Sequence, residues 1–193
     1  MAFRIESRHL GGVVVLVPEV FRDDRGFFME TFRADQFQAL GLPHDFVQDN
    51  QSRSRRGVIR GLHFQWDPPM GKLMRVTSGS AFLVAVDVRK GSVTLGKWFG
   101  LEVSEENKKQ VWAPAGFARG FCTLSEYADV QYKCTSNYNP KTESGIRWND
   151  PRLGVEWPVL NPVISEKDRN ARTLAEWLAS PESDNFTDAG QRR

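Results

Sequence analysis

The sequence predicts a mainly β protein, built as a sandwich or barrel with only a few short helices. Short runs of β-branched and aromatic residues recur along the chain, and Gly, Pro, Asn or Asp separates most of them. Helical spacing is confined to two segments, and no Gly-, Ser- or Pro-rich stretch divides the 193 residues into comparable halves. We therefore expect one domain over residues 1–180, followed by a polar, loose tail over residues 181–193.

Each predicted strand is an apolar or alternating run bounded by turn-forming residues. In chain order the predicted strands are Gly12–Pro18, Gly26–Phe32, Phe46–Gln51, Val58–Phe64, Leu73–Thr77, Ala81–Val88, Leu95–Val103, Gln110–Trp112, Gly120–Leu124 and Asp129–Thr135. The runs Ala81–Asp87 and Leu95–Val103 are too apolar for a sheet that is wetted on one face. We expect them to lie between two sheets or between subunits.

Two helices complete the predicted fold. The first covers Ala34–Leu40, with Gly41 as its C-terminal stop. The second follows Ser165, where helical spacing is shown by Ala171, Leu174, Ala175 and Leu178. Ser165 and Asp168 stand three residues apart, so one interpretation of Asp168 is a simple role in capping that helix.

Composition and charge exclude several classes of protein. The net charge of +2 is too small to indicate nucleic-acid binding, although Arg53, Arg55 and Arg56 form a local basic cluster that is either a solvated turn or a phosphate contact. Cys122 and Cys134 belong to no Cys-x-x-Cys pair and fit core thiols in a reducing compartment. No leader-like or membrane-spanning apolar run occurs, so we expect a soluble, cytoplasmic protein without a membrane partner.

His63 is the first candidate for chemistry. It lies between the apolar residues Leu62 and Phe64, three positions after Arg60. Histidine is readily tuned into a general base at neutral pH, and arginine holds anions with a two-pronged fork. The alternative is a buried strand in which His63 satisfies a core hydrogen bond.

Many small jelly-roll barrels hold a metal ion with two or three histidines and a carboxylate, but this chain has few such ligands. The chain has three histidines, and no His-x-His or His-x-x-x-His spacing occurs. We therefore expect neither metal nor cofactor, and chemistry that uses side chains alone. A metal-dependent barrel remains the rival interpretation.

A metal-free site around His63 needs an acid and a group that stabilises developing negative charge. Tyr132 lies on a predicted strand and fits the acid, or else an aromatic core residue. Lys72 opens another strand, where its ammonium fits the stabilising group, or else a solvated strand end.

Many segments, taken in order from Val17 to Asp168, resemble the dTDP-4-dehydrorhamnose 3,5-epimerases of deoxysugar nucleotide biosynthesis. They are Asp24-Arg-Gly-Phe-Phe-Met-Glu30, Gln48-Asp-Asn50, Arg56-Gly-Val-Ile-Arg-Gly-Leu-His-Phe-Gln65, Gly71-Lys-Leu-Met-Arg75, Val86-Asp-Val-Arg89, Pro114-Ala-Gly-Phe-Ala118, Leu124-Ser-Glu-Tyr127, Tyr132-Lys133, Trp148-Asn-Asp-Pro151 and Ser165-Glu-Lys-Asp168. The resemblance implies a cupin-type jelly roll that acts as a homodimer, without cofactor or metal, on a dTDP-4-keto-6-deoxyhexose.

The resemblance also implies roles for four residues in a proton-transfer reaction. His63 is expected to remove the proton beside the ketone, and Asp168 to orient it. Tyr132 is expected to deliver a proton to the opposite face, and Lys72 to stabilise the enolate oxygen at C4. A C4 ketone acidifies the hydrogens on both C3 and C5, so this set can invert either centre without a redox cofactor.

Further residues match the family's substrate contacts. Those expected to bind the sugar or nucleotide are Gln48, Asn50, Arg60, Arg119, Tyr138, Glu143 and Lys167. Arg25 and Glu30 match a segment that the family contributes from the neighbouring subunit, so the resemblance implies strand exchange in the dimer.

Arg119 departs from the family pattern. Gly116-Phe-Ala-Arg-Gly-Phe121 stands where the family usually has histidine at the fourth position. The longer, permanently charged side chain could restrict the reaction to one carbon or admit another nucleotide sugar. The resemblance as a whole implies an enzyme that inverts C3 and C5 for rhamnose and surface-polysaccharide synthesis. The rivals are a single-centre epimerase and a non-catalytic cupin that binds a nucleotide sugar.

Overall fold

The computed structural model describes residues 2–187, which form fourteen strands in three sheets and three short α-helices. The strands are β1 (Phe3–His9), β2 (Val13–Pro18), β3 (Phe21–Asp23), β4 (Gly26–Phe28), β5 (Gln48–Arg55), β6 (Val58–Gln65), β7 (Lys72–Ser78), β8 (Ser80–Asp87), β9 (Trp98–Ser104), β10 (Gln110–Ala113), β11 (Phe117–Thr123), β12 (Tyr127–Cys134), β13 (Glu143–Gly145) and β14 (Val163–Ile164). The helices are α1 (Ala34–Ala39), α2 (Glu166–Arg169) and α3 (Leu174–Ala179), and a 3-10 helix covers Pro181–Asn185.

Two large sheets carry the fold. The first has the antiparallel order β1-β2-β10-β7-β12-β5, and the second has the order β13-β6-β11-β8-β9 with β14 parallel to β6. Alternate side chains of both sheets meet in one apolar cluster, to which Met74, Val111 and Val130 contribute from the first sheet and Leu83 and Phe121 from the second. This face-to-face packing confirms the predicted β sandwich.

Strand β8 is apolar on both faces because both faces are covered. Leu83 and Ala85 lie in the cluster between the sheets, whereas Val84 and Val86 pack in a second cluster with Leu174 and Trp177. The second cover is therefore the C-terminal segment of the same chain. Burying such side chains stabilises the fold by about 1.5–3 kcal/mol each.

The structure differs from the predicted elements in several places. Strands β1, β3, β13 and β14 were not predicted, and the predicted strand Gly26–Phe32 ends at Phe28, where it pairs only with β3 in a separate hairpin. The predicted C-terminal helix is divided into α2 and α3. It divides because Thr173 caps α3 through a box with Glu176 and so begins a new helix.

The C-terminal residues that the structure describes also pack more closely than expected. Residues 181–185 form the 3-10 helix, and Phe186 is buried against Phe64 and Trp177. The rest of the predicted loose tail, residues 188–193, lies outside the described residues. Cys122 and Cys134 are buried free thiols, as predicted. No helix within residues 2–187 has the length and apolarity to cross a lipid bilayer.

Candidate active site

A cavity of about 160 Å³ opens between the two sheets and collects five of the predicted site residues. These residues are Arg60, His63, Lys72, Arg119 and Tyr132. The second sheet supplies Arg60, His63 and Arg119 from β6 and β11, and the first supplies Lys72 and Tyr132 from β7 and β12. Apolar side chains, including Met74, Val130 and Phe121, complete the lining.

His63 and Asp168 form a close pair. Nε2 of His63 lies 2.6 Å from Oδ1 of Asp168, and the second carboxylate oxygen accepts a 3.2 Å hydrogen bond from the backbone N–H of Gly61. Burial disfavours the charge on Asp168, but the hydrogen bonds from His63 and Gly61 outweigh it, so the pKa of Asp168 is lowered from its ordinary value. The carboxylate is therefore ionised at neutral pH.

Helix α2 positions Asp168. The hydroxyl of Ser165 accepts a 3.1 Å hydrogen bond from the backbone N–H of Asp168, so the predicted cap is present. Because the cap uses only the backbone of Asp168, its side chain is left to reach His63. Asp168 therefore takes part in the helix cap through its backbone N–H and pairs with His63 through its side chain.

Gly61 makes room for this arrangement. Its φ is +133°, and a Cβ atom there would lie 2.6 Å from the Cα of Gly120 on the neighbouring strand β11. A side chain would therefore push β6 and β11 apart. The close approach keeps His63 and Arg119, which are paired in register, at one level of the cavity wall.

Lys72 lies on the wall across from His63. Its ammonium is 4.8 Å from the ring centre of Tyr132, a cation–π contact. Burial is the largest cause that lowers the pKa of Lys72, and the positive charge of Arg119 lowers it further, from 10.5 to about 8. The side chain is therefore a cation at neutral pH.

Tyr132 lies one sheet away from His63. On β12 it is in register with Asn50 of β5 and Met74 of β7. Burial is the largest cause that raises the pKa of the Tyr132 hydroxyl. The phenol therefore keeps its proton at neutral pH and can serve as a donor.

Arg119 is a buried residue of the cavity wall. Its Nη1 atom donates to the carbonyl oxygens of Met70 and Ala113, at 2.8 and 3.3 Å. Its Nε and Nη2 atoms are buried without a hydrogen-bond partner in the described part of the chain. Burial lowers the pKa of Arg119 to about 10, which leaves it charged at neutral pH.

The remaining predicted contacts form a polar rim. A smaller cavity of about 90 Å³ is lined by His63, Lys72 and Tyr132 and, from the rim, by Gln48, Asn50, Tyr138 and Glu143. Gln48 donates to Asn50 at 3.1 Å and accepts from the backbone N–H of Tyr138 at 2.8 Å, and Tyr138 donates to Glu143 at 3.3 Å. Lys167 forms an ion pair with Glu143 and borders a third cavity beside His63.

Arg25 and Glu30 are apart from this cluster in the single chain. Arg25 is exposed and paired with Asp23, and Glu30 lies near Arg33. Neither residue lines the three cavities that His63 borders. Sequence reasoning missed Gly61 as a donor to Asp168 and Ser52 as a lining residue, because neither role has a signal in local residue spacing.

The family model described as dTDP-4-dehydrorhamnose 3,5-epimerase matches residues 7–176. A dTDP-4-dehydrorhamnose 3,5-epimerase of Methanothermobacter thermautotrophicus is 51% identical over 90% of this chain and 96% of its own. One of Pseudomonas aeruginosa is 52% identical over 85% of this chain and 92% of its own.

A solved structure has the same fold. The dTDP-6-deoxy-D-glucose-3,5-epimerase of Legionella pneumophila, crystallised with dTDP-4-keto-L-rhamnose, superposes with a TM-score of 0.89 at 44% identity. The match covers 94% of this chain and 96% of the other. The described fold is therefore that of the cupin-like jelly rolls to which the Legionella protein belongs.

Proposed function

The chain belongs to the dTDP-4-dehydrorhamnose 3,5-epimerase family, and we propose that it converts dTDP-4-dehydro-6-deoxy-D-glucose to dTDP-4-dehydro-L-rhamnose. The observation that carries this proposal is the placement of His63 and Tyr132 on opposite sheets across one cavity. A sugar ring between them meets a base on one face and an acid on the other. Removal of a proton from one face and its return to the other inverts a carbon beside the ketone.

His63 acts as the base in this proposal. With Nε2–H donated to Asp168, the lone pair of the neutral imidazole is on Nδ1. When Nδ1 accepts the carbon-bound proton, the ionised Asp168 stabilises the resulting imidazolium. Asp168 thus orients the base and favours its charged form without taking the proton itself.

Lys72 and Tyr132 complete the reaction. As the C–H bond breaks, its electron pair forms a carbon–carbon double bond and the C4 oxygen becomes an enolate. The Lys72 ammonium stabilises that oxygen more strongly than the neutral ketone, which lowers the barrier. The hydroxyl of Tyr132 then donates a proton to the opposite face of the carbon.

The polar rim supplies binding rather than chemistry. Arg60 lines the central cavity, Gln48, Asn50, Tyr138 and Glu143 line the smaller cavity beside it, and Lys167 lines the third cavity with Glu143 and His63. The cations of Arg60 and Lys167 suit the negatively charged diphosphate of a nucleotide sugar.

Hydrogen exchange tests the reaction directly. The protein is incubated in deuterated water with dTDP-4-keto-6-deoxyglucose, and the C3 and C5 hydrogens are followed separately by proton NMR against a no-enzyme control. Loss of both signals is the expected result. Loss of one identifies a single-centre epimerase, and exchange at neither carbon means a binding protein or another substrate.

We also propose that the protein is a homodimer in which the β3–β4 hairpin reaches the partner subunit. Phe21, Phe27 and Phe28 are 53%, 52% and 66% exposed, although soluble proteins usually cover such neighbouring phenylalanines. The hairpin also carries Arg25, a predicted substrate contact that lies away from His63 in its own chain. Insertion into a second copy would bury the rings and bring Arg25 to the partner's cavity.

Replacing Phe28 with aspartate is expected to produce a monomer. A charge in the centre of the apolar surface opposes its burial against a second copy. Light scattering after size-exclusion chromatography measures the mass directly. Val93→Asp is the control because Val93 is 95% exposed and lies in a turn outside the hairpin. A Phe28→Asp variant that keeps the native dimer mass would show that the hairpin does not hold the subunits together.

A further inference from the structure

Arg119 has a binding edge that the fold does not use. Its Nη1 is held by the backbone carbonyls of Met70 and Ala113, whereas Nε and Nη2 are buried and have no partner among the described residues. A buried, charged donor without a partner destabilises the fold. Arg119 also lines the central cavity, so a molecule bound there can supply the missing acceptors once the guanidinium turns its Nε–Nη2 edge toward the cavity.

The unused edge is the one with which other arginines of this chain grip two oxygens. Arg53 holds Asp129 through Nε at 2.8 Å and Nη2 at 2.7 Å. Arg89 holds Asp87 through the same two nitrogens, at 2.9 and 2.7 Å. The Nε–Nη2 edge of Arg119 therefore fits a ligand with two neighbouring oxygens in one plane.

The two possible intermediates of the reaction differ in this feature. When His63 takes the C3 proton, the C–H electron pair forms a C3=C4 double bond and the carbonyl pair moves onto the C4 oxygen. The exocyclic oxygens on C3 and C4 are then coplanar and adjacent. When the C5 proton is taken instead, C3 stays tetrahedral, so its hydroxyl oxygen is not held in the plane of the C4 oxygen, and the neighbour that is held in that plane is the C6 methyl group, which accepts no hydrogen bond.

We propose that Arg119 binds the C3 and C4 oxygens of the enediolate and so favours proton transfer at C3 over C5. Lys72 serves the C4 oxygen in both half-reactions, whereas Arg119 discriminates between them. The inference rests on the proposed epimerase activity and deepens it. It assigns a use to the residue by which this chain departs from the usual family pattern.

The test compares exchange at the two carbons in Arg119→Lys, which keeps the charge but lacks the two-pronged edge. C3 exchange is expected to fall about 10- to 100-fold, and C5 exchange to fall much less. Arg53→Lys is the matched control, because Arg53 holds Asp129 through the same Nε–Nη2 edge and borders none of the three cavities that His63 lines. The C3 to C5 ratio of that variant is expected to equal that of the unmodified protein.

A second measurement needs no substitution. With the substrate analogue that lacks the C3 hydroxyl, the unmodified protein is expected to lose C3 exchange relative to C5. The ratio is referred to the exchange that plain base produces at each carbon. An unchanged C3 to C5 ratio, in the analogue or in Arg119→Lys, overturns the role of Arg119 and leaves the epimerase standing. Exchange at neither carbon of the natural substrate by the unmodified protein overturns both.

Discussion

Replacing His63 with asparagine is expected to leave a folded protein in which proton exchange at both C3 and C5 falls about 10³- to 10⁴-fold. Asparagine is shorter than histidine, and its amide ends near the position of Nδ1 rather than of the Nε2 that contacts Asp168, so the carboxylate keeps only the hydrogen bond from the backbone N–H of Gly61. Asparagine also has no basic nitrogen, so it cannot take the proton of a carbon acid. The loss should therefore appear in kcat and leave substrate binding largely unchanged.

The measurement is the two-carbon exchange assay, together with a binding titration and circular dichroism to establish folding. His44→Asn is the matched control, because His44 is partly exposed and borders none of the three cavities that contain His63. Near-normal exchange at either carbon in a folded His63→Asn protein would mean that another group removes that proton.

Replacing Lys72 with methionine is expected to lower kcat about 10²- to 10³-fold, the usual effect of removing one donor from a developing oxyanion. Methionine fills a similar volume and keeps the contact with the ring of Tyr132, but it carries no charge. The variant should bind substrate and fail to stabilise the enolate.

The same change should make the protein more stable. Below about pH 8 Lys72 is protonated in the folded and unfolded states, and the cost of its buried charge is fully present. Between about pH 8 and 10.5 the folded side chain is neutral while the unfolded one is still charged, so the unfolded state binds more protons and stability rises with pH. Methionine removes both the cost, up to about 3 kcal/mol at neutral pH, and this rise.

Denaturant unfolding and the pH dependence of kcat/KM check these two expectations. Denaturant unfolding at pH 7 and at pH 9.5 should show a smaller increase with pH for Lys72→Met than for the native protein. In the native protein kcat/KM should decline above about pH 8, because the ammonium is lost there. A Lys72→Met variant with native kcat, or a native kcat/KM that stays level up to pH 10, would contradict the assigned role.

The large elements of the fold were predictable because each one is a local pattern. Strands such as Val58–Gln65 and Tyr127–Cys134 combine β-branched and aromatic residues with nearby turn formers, and α1 is bounded by Gly41. Strand β1 was missed because its alternating run, Phe3–His9, is rich in charged residues and is held as a strand by its pairing with β2. The division of the C-terminal helix depends on Thr173 forming a cap, which competes with an otherwise continuous helical pattern.

The site residues also fall into those that the sequence predicts and those that depend on the folded chain. The family resemblance predicted roles for His63, Lys72, Tyr132 and Asp168. The first three line the central cavity, and Asp168 is linked to it by its hydrogen bond to His63. Residue spacing alone could not have joined them, because the His63–Asp168 contact crosses the fold. The sequence also could not predict that Nε and Nη2 of Arg119 lack a partner among the described residues, because this depends on which carbonyl oxygens Nη1 contacts in the folded chain.

The contact between His63 and Asp168 links residues 105 positions apart. On a ribosome, which releases the chain from its N-terminal end, the strand that carries His63 can pair long before Asp168 has been made. Until then the imidazole has no carboxylate to fix its orientation. A nascent chain should thus be able to pair the strands that line the cavity before Asp168 can orient His63. We therefore expect that a growing or prematurely terminated polypeptide does not act on the sugar nucleotides around it.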